Sequence, residues 1–173
     1  MKKICLVSIL LFMGIFSLSA QSRITKDEMQ INAGFGFSNT GLPVYAGLDY
    51  AIHQDITIGG QLIYKHYKDK FKFEEISYKY NLNMFGLLIN ANYHFNTLIH
   101  IPDPWDVYAG INIGYVTVSS SGDYHGNISS STGLSFQIGA RYFFSEQWGV
   151  NLELMGGNDV VGSGGRIGIT YKL

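Results

Sequence analysis

The sequence predicts an all-β fold: an eight-stranded antiparallel up-and-down transmembrane β-barrel. Three observations predict it. Apolar and small or polar residues alternate with period two in eight separate windows. Charged residues make up only 14% of the chain, against roughly 25% in soluble domains. Twenty-one glycines, alternating with β-branched and aromatic residues, oppose helix formation. Disorder is excluded by the many aromatic and branched side chains available for burial. A formal net charge of −1 disfavours nucleic-acid binding by a basic surface.

Residues 1–20 read as an export signal. Lys2 and Lys3 precede the apolar run Ile4 to Phe16, and Ser17-Leu18-Ser19-Ala20 offers small residues for cleavage after Ala20. The run is short of the ~20 residues that a transmembrane helix needs, which argues against an uncleaved anchor. The barrel domain is then 21–173, without a cysteine, so disulfides play no part in its stability.

The strands follow in order. Ile31, Ala33, Phe35 and Phe37 alternate with Asn32, Gly34 and Gly36 in the first. Val44, Ala46, Leu48, Tyr50 and Ile52 form the apolar face of the second, and Ile56, Ile58, Leu62 and Tyr64 that of the third. Phe85, Leu87, Ile89, Ala91, Tyr93 and Phe95 mark the fourth. Val107, Ala109, Ile111, Ile113 and Tyr115 mark the fifth. The sixth carries Leu134, Phe136, Ile138, Ala140, Tyr142 and Phe144, the seventh Val150, Leu152 and Leu154. The eighth carries Ile167, Ile169, Tyr171 and Leu173. Short turns at 53–55 and 145–147 alternate with longer polar loops at 67–78, 119–132 and 156–164.

Size decides which face is outside. The bore of an eight-stranded barrel is just wide enough for side chains to fill, and the aromatic face carries too much bulk for it. Asp49, Lys65, Arg141, Glu153 and Arg166 fall on the opposite, glycine-rich face and form a candidate interior charge network. Arg141 is expected opposite Glu153 if Phe144 pairs with Val150. No charge interrupts the middle of the apolar face, as lipid contact requires. Tyr50, Tyr93, Phe95, Trp105, Phe144, Trp148 and Tyr171 are expected as an aromatic girdle on one rim. A soluble lipid-carrying barrel would need an apolar interior instead.

The run Ile138-Gly-Ala-Arg-Tyr-Phe-Phe-Ser-Glu-Gln-Trp-Gly-Val-Asn-Leu-Glu153, with the closing Gly168-Ile-Thr-Tyr-Lys-Leu173, resembles the small outer-membrane β-barrel proteins common in Bacteroidetes. Their general type is the OmpA/OmpX-like eight-stranded barrel. The resemblance implies residence in the cell outer membrane, contact with its lipid, and a terminal strand read by the barrel-assembly machinery. That signal falls on Ile167, Ile169, Tyr171 and Leu173, with leucine where members usually end in an aromatic residue. An OmpA-like peptidoglycan-binding domain is not expected within residues 21–173.

Function is therefore expected to be structural or surface-interacting, for adhesion or envelope integrity. The outward loops would meet an extracellular partner, with Tyr67, Phe71, Phe73, Tyr78 and Tyr124 as contact residues. A narrow gated pore and a lipid-modifying enzyme are the alternatives. Enzymatic activity is not expected: His125 with Ser129, or His66 with Glu74, matches no nucleophile–base motif. No cofactor or metal is expected, since His53, His66, His94, His100 and His125 lie on separate segments without ligand spacing. The glycines at 156–165 precede no helix N-terminus that could hold phosphate.

Overall fold

A computed structural model describes residues 24–38, 41–73, 76–120, 130–157 and 163–173. The export signal expected at 1–20, the residues Glu74, Tyr124, His125 and Ser129, and most of the 119–132 loop lie outside the described residues. Eight strands run in chain order: β1 Met29–Phe37, β2 Val44–His53, β3 Ile56–Phe73, β4 Ile76–His94, β5 Trp105–Ser120, β6 Ser131–Phe143, β7 Trp148–Gly157 and β8 Gly164–Lys172. Each pairs antiparallel with its chain neighbour, and β1 pairs with β8, so the sheet closes into a barrel. Closure gives every wall strand two partners and leaves no edge to be satisfied by water.

The alternation settles the two faces. Phe35, Leu62, Phe85, Ile89, Ile113, Phe136, Leu152 and Ile169 are exposed on the exterior, while Asn32, Asp49, Gln61, Asn90, Asn112, Gln137, Asn151 and Thr170 are buried inside. The phase holds across the wall because the register pairs like with like: Ile89↔Ile113 and Ile113↔Leu134 outside, Asn90↔Asn112 and Asn112↔Ser135 inside. A slip of one residue would turn a whole strand inside out.

Two expectations are corrected. Residues 67–73 and 76–78 are strand, not loop: β3 and β4 extend through them and stay paired to Phe73↔Ile76. Alternation persists there with lysine and aromatic residues in place of aliphatic ones, which hides the strand from an apolar count. The β6–β7 register is Tyr142↔Val150, not Phe144↔Val150, so Arg141 lies beside Asn151 and Glu153 beside Gly139. Ser145 and Trp148 cause the shift. Phe144 N–H and Ser145 N–H both donate to the Trp148 carbonyl, and Ser145 Oγ accepts from Trp148 N–H at 2.9 Å, so Phe144 faces Trp148 and not Val150.

The rim that carries residues 24 and 173 holds the expected aromatics as contacting pairs. Tyr93 and Phe95 meet edge-on at 5.3 Å between centroids, and Trp148 and Tyr171 lie 4.6 Å apart. Trp105 packs 4.9 Å from Tyr142. Tyr50 donates its hydroxyl to Asp27 at 2.7 Å, and Phe144 is exposed. The long connection after β4 is held down at this rim by Asn96, which donates to the Trp105 carbonyl at 2.6 Å and accepts from Val107 N–H at 3.2 Å. The Asp103–Pro104 peptide within it is cis.

Candidate functional site: the polar bore

The bore contains a hydrogen-bonded network to which all eight strands contribute. Its centre is Arg141 on β6, 1% exposed. The guanidinium donates to Asp49 on β2 at 2.8 Å, to Gln30 on β1 at 2.9 Å and to Asp106 on β5 at 3.4 Å. Its carbon also stands 4.3 Å from the centre of the Tyr108 ring. Gly139 makes that stacking possible, because a Cβ there would collide with the Tyr108 phenol. A buried cation with one carboxylate gone would be costly, and here two carboxylates and an amide share the compensation.

From Arg141 the network spreads in two directions. Asp49 accepts from Asn32 at 2.9 Å and Asn90 at 3.3 Å, and Asn32 accepts from Thr170 at 2.7 Å. Thr170 accepts in turn from Asn151, whose Oδ1 accepts from Tyr45 at 2.7 Å. On the other side Asp106 pairs with His94 Nδ1 at 2.8 Å, and His94 Nε2 lies 3.1 Å from the Thr57 hydroxyl. Asn92 donates to Thr57, Gln137 to Asn92 and Asn112 to Gln137, which carries the chain round β3 to β6.

A second ionic centre lies nearer the hairpin rim. Arg166 on β8 faces Glu153 across the β7–β8 pair at 3.6 Å and donates to Gln61. Tyr108 donates to Glu153 at 2.5 Å, so this ring joins the two centres. Beyond it, Tyr45, Ile63 and Leu88 form a buried apolar cluster with Met84 and Met155 packed on it. At the opposite end Lys172 pairs with Glu28 at 3.6 Å and stands 4.4 Å over the Phe143 ring.

Of the residues picked out in the sequence, Asp49, Arg141, Glu153 and Arg166 share this interior. Lys65 stands apart on β3, half-buried toward the hairpin rim, with its ammonium 5.0 Å over the Tyr67 ring. Asp106, His94, Gln30, Tyr108 and Lys172 were missed as members of the network. Asp106 lies one residue before the first apolar position that marks β5, and Tyr108 is a large aromatic on the face expected to be small and polar. His94 is readable only as the residue between Tyr93 and Phe95.

The order Thr57 hydroxyl, His94 imidazole, Asp106 carboxylate is that of a nucleophile, base and orienting acid. It cannot act as one here. Thr57 is fully buried and its oxygen already accepts from Asn92, so no acyl carbon can approach. A cavity of about 210 Å³ reaches His94 and Asp106 from the rim, between Ile24, Lys26, Gln54 and Asn96, but it stops short of Thr57. Among the described residues no cluster of three or more His, Cys, Asp or Glu could hold a metal ion.

On the exterior of β8, Ile167, Ile169 and Leu173 are exposed and Tyr171 is half-buried against Trp148. A family model described as outer membrane protein beta-barrel domain matches residues 8–165. The outer membrane protein OprG from Pseudomonas aeruginosa superposes with TM-score 0.61 at 11% identity, covering 88% of this chain and 99% of that one. The N-terminal beta-barrel domain of OprF from the same species gives 0.59 at 14%, covering 87% and 100%. Ail of Yersinia pestis in a phospholipid bilayer nanodisc gives 0.53 at 13%, covering 86% and 100%. No curated protein sequence matches the chain.

Proposed function

The chain belongs to the outer-membrane β-barrel family and resides in the outer membrane of a Gram-negative cell, and from that premise we propose that it is a closed, non-catalytic scaffold that holds its bore shut and presents its long hairpins at the cell surface. The observation that carries the closed bore is Arg141. Its guanidinium ties β6 to β1, β2 and β5 at once, so an ion path through the centre needs three contacts broken together. Breaking them strands two buried carboxylates, a cost of several kcal/mol.

The surface role is supported by strand length. β3 and β4 run 18 and 19 residues, against 9 for β1 and β8, so one hairpin stands well clear of the wall. Tyr67, Phe71, Phe73 and Tyr78 fall on its bore-side face by register. One structural relative is by name an attachment invasion locus protein. The exterior of β8, with Ile167, Ile169, Tyr171 and Leu173, is assigned to recognition by the assembly machinery.

Planar-bilayer recording of the purified, refolded protein tests the closed bore. The wild-type protein is expected to stay silent, and Arg141→Ala to flicker. Steady, frequent openings from wild type would instead support the gated-pore alternative.

A further inference from the structure

The interior is one positive charge short. Among the described residues, Asp49, Asp55, Asp106 and Glu153 are buried with Arg141, Arg166 and Lys172, which leaves one carboxylate in excess. Half-buried Glu28 and Lys65 carry opposite charges and do not change that balance. An uncompensated charge out of water is costly, so the surplus calls for one further cation. His94, 1% exposed, is the buried imidazole among the described residues that can become one.

Its surroundings admit the change. Asp106 accepts from Nδ1 at 2.8 Å, and Arg141 stands behind Asp106. The Tyr108 ring lies 5.5 Å from the imidazole, and the Asp55 carbonyl accepts from the His94 backbone N–H at 2.8 Å. The cavity of about 210 Å³ reaches the ring from the rim beside exposed Lys26, with the Lys172–Glu28 pair at the same end. Asp106 keeps a proton on Nδ1 in either state. A second proton is therefore carried on Nε2, which faces the Thr57 hydroxyl at 3.1 Å.

Thr57 begins a chain of amides. With His94 neutral, Nε2 accepts from the Thr57 hydroxyl. Asn112 then donates to Gln137 at 3.1 Å, Gln137 to Asn92 at 2.6 Å and Asn92 to Thr57 at 3.2 Å. This arrangement leaves Asn112 Oδ1, Asn90 Oδ1 and Ser135 Oγ buried with no partner among the described residues. Register nevertheless sets the three residues side by side on β5, β4 and β6. A primary amide carries an oxygen and an NH2 of nearly the same shape, so a half-turn of its terminal torsion exchanges acceptor for donor. With Nε2 protonated, His94 donates to Thr57, Thr57 to Asn92, Asn92 to Gln137 and Gln137 to Asn112. Asn112 Oδ1 gains its donor, and Asn112 Nδ2 is released in the row that holds the Asn90 and Ser135 oxygens. Every bond of the chain is kept and only its direction changes.

We propose that His94 is a proton-binding site filled from the rim, and that the proton reverses the hydrogen-bond chain from Thr57 to Asn112. Its arrival is thereby transmitted across β3, β4, β6 and β5. The inference rests on the interior network and not on whether the bore conducts.

Protein labelled with nitrogen-15 in its histidine, asparagine and glutamine side chains is refolded in micelles and followed by NMR from about pH 8 to about pH 5, the range in which histidine exchanges its charge. Folding is scored separately by the mobility difference between boiled and unboiled samples. In wild type, His94 is expected to pass from one N–H and one bare nitrogen to two N–H groups. The Asn92, Gln137 and Asn112 amide signals should shift with the same midpoint. Thr57→Ser keeps the hydroxyl and should keep that coupling, whereas His94→Gln should abolish the pH response of all three amides. Thr57→Val should leave His94 titrating while the movement at Gln137 and Asn112 is lost. Where Thr57→Val loses the folded mobility or the His94 titration, Gln137→Met interrupts the chain at its middle, and Asn112 should then stay still while Asn92 follows His94. An imidazole that keeps one protonation state across this range would overturn the proposal. So would amides that move with a different midpoint, or an Asn112 that still follows His94 across an interrupted chain, since its response would then be a through-space effect of charge.

Discussion

Deleting the Arg141 guanidinium leaves Asp49 and Asp106 buried at 3% and 2% exposure with their shared cation gone. Removing one member of a buried ionic group costs about 3–5 kcal/mol, far more than a surface pair. Arg141→Met should therefore lower the unfolding free energy of the micelle-refolded barrel by that amount in urea titration, and adding Asp49→Asn should recover part of the loss. Gly139→Ala is a smaller perturbation of the same centre, because its Cβ would displace Tyr108 from the guanidinium. Overpacking of this kind costs about 1–3 kcal/mol. Little of this centre is legible in the sequence. Alternation tells which face Asp49 or Arg141 occupies, but not its depth, and contacts such as Arg141 with Gln30 join residues 111 apart. The expected pairing of Arg141 with Glu153 fails because the turn closes Phe144 onto Trp148, two residues before Val150, through the Ser145–Trp148 contacts.

At the scale of elements, an exterior strand position tolerates only what lipid tolerates. Ile113 is 56% exposed, pairs with Ile89 and Leu134, and sits mid-strand in β5. Ile113→Arg should cost about 2–4 kcal/mol, measured by the same titration, because no water or partner compensates the charge there. Ser119→Arg, near the end of the same exterior row, should cost about 0–1 kcal/mol. In β8 the substitutions Tyr171→Ala and Leu173→Ala touch only the exterior and the Trp148 ring. They should leave refolding in micelles nearly unchanged while lowering the folded fraction recovered from cell envelopes, if this face is what the assembly machinery reads. Strand existence was legible throughout, since eight apolar windows became eight strands. Strand ends were not. The rule that ends a strand at its last aliphatic residue fails where lysine and aromatic residues continue the alternation, as at Lys68 to Phe73.

For the whole molecule, the decisive quantity is the volume of the bore. Eight strands enclose room for one layer of packed side chains, so the bulky face must turn outward and the interior must satisfy itself. That reasoning reaches the architecture from the sequence alone. It does not reach the apolar cluster of Tyr45, Ile63 and Leu88 inside the hairpin half, where both faces of the wall are apolar and the contrast that reveals sidedness vanishes. The outcome is a barrel with three interior layers: an ammonium–carboxylate pair at the rim of the chain ends, the Arg141 and Arg166 centres in the middle, and an apolar stopper beyond them.

Site-directed spin labelling along β5, one cysteine at a time from Val107 to Tyr115 in reconstituted bilayers, tests this arrangement most directly. Collision with oxygen, which concentrates in lipid, should peak at Val107, Ala109, Ile111, Ile113 and Tyr115 and fall at the residues between, with a water-soluble nickel reagent excluded from both sets. Oxygen access in the opposite phase, or nickel access at Asn112 in the bore, would contradict it.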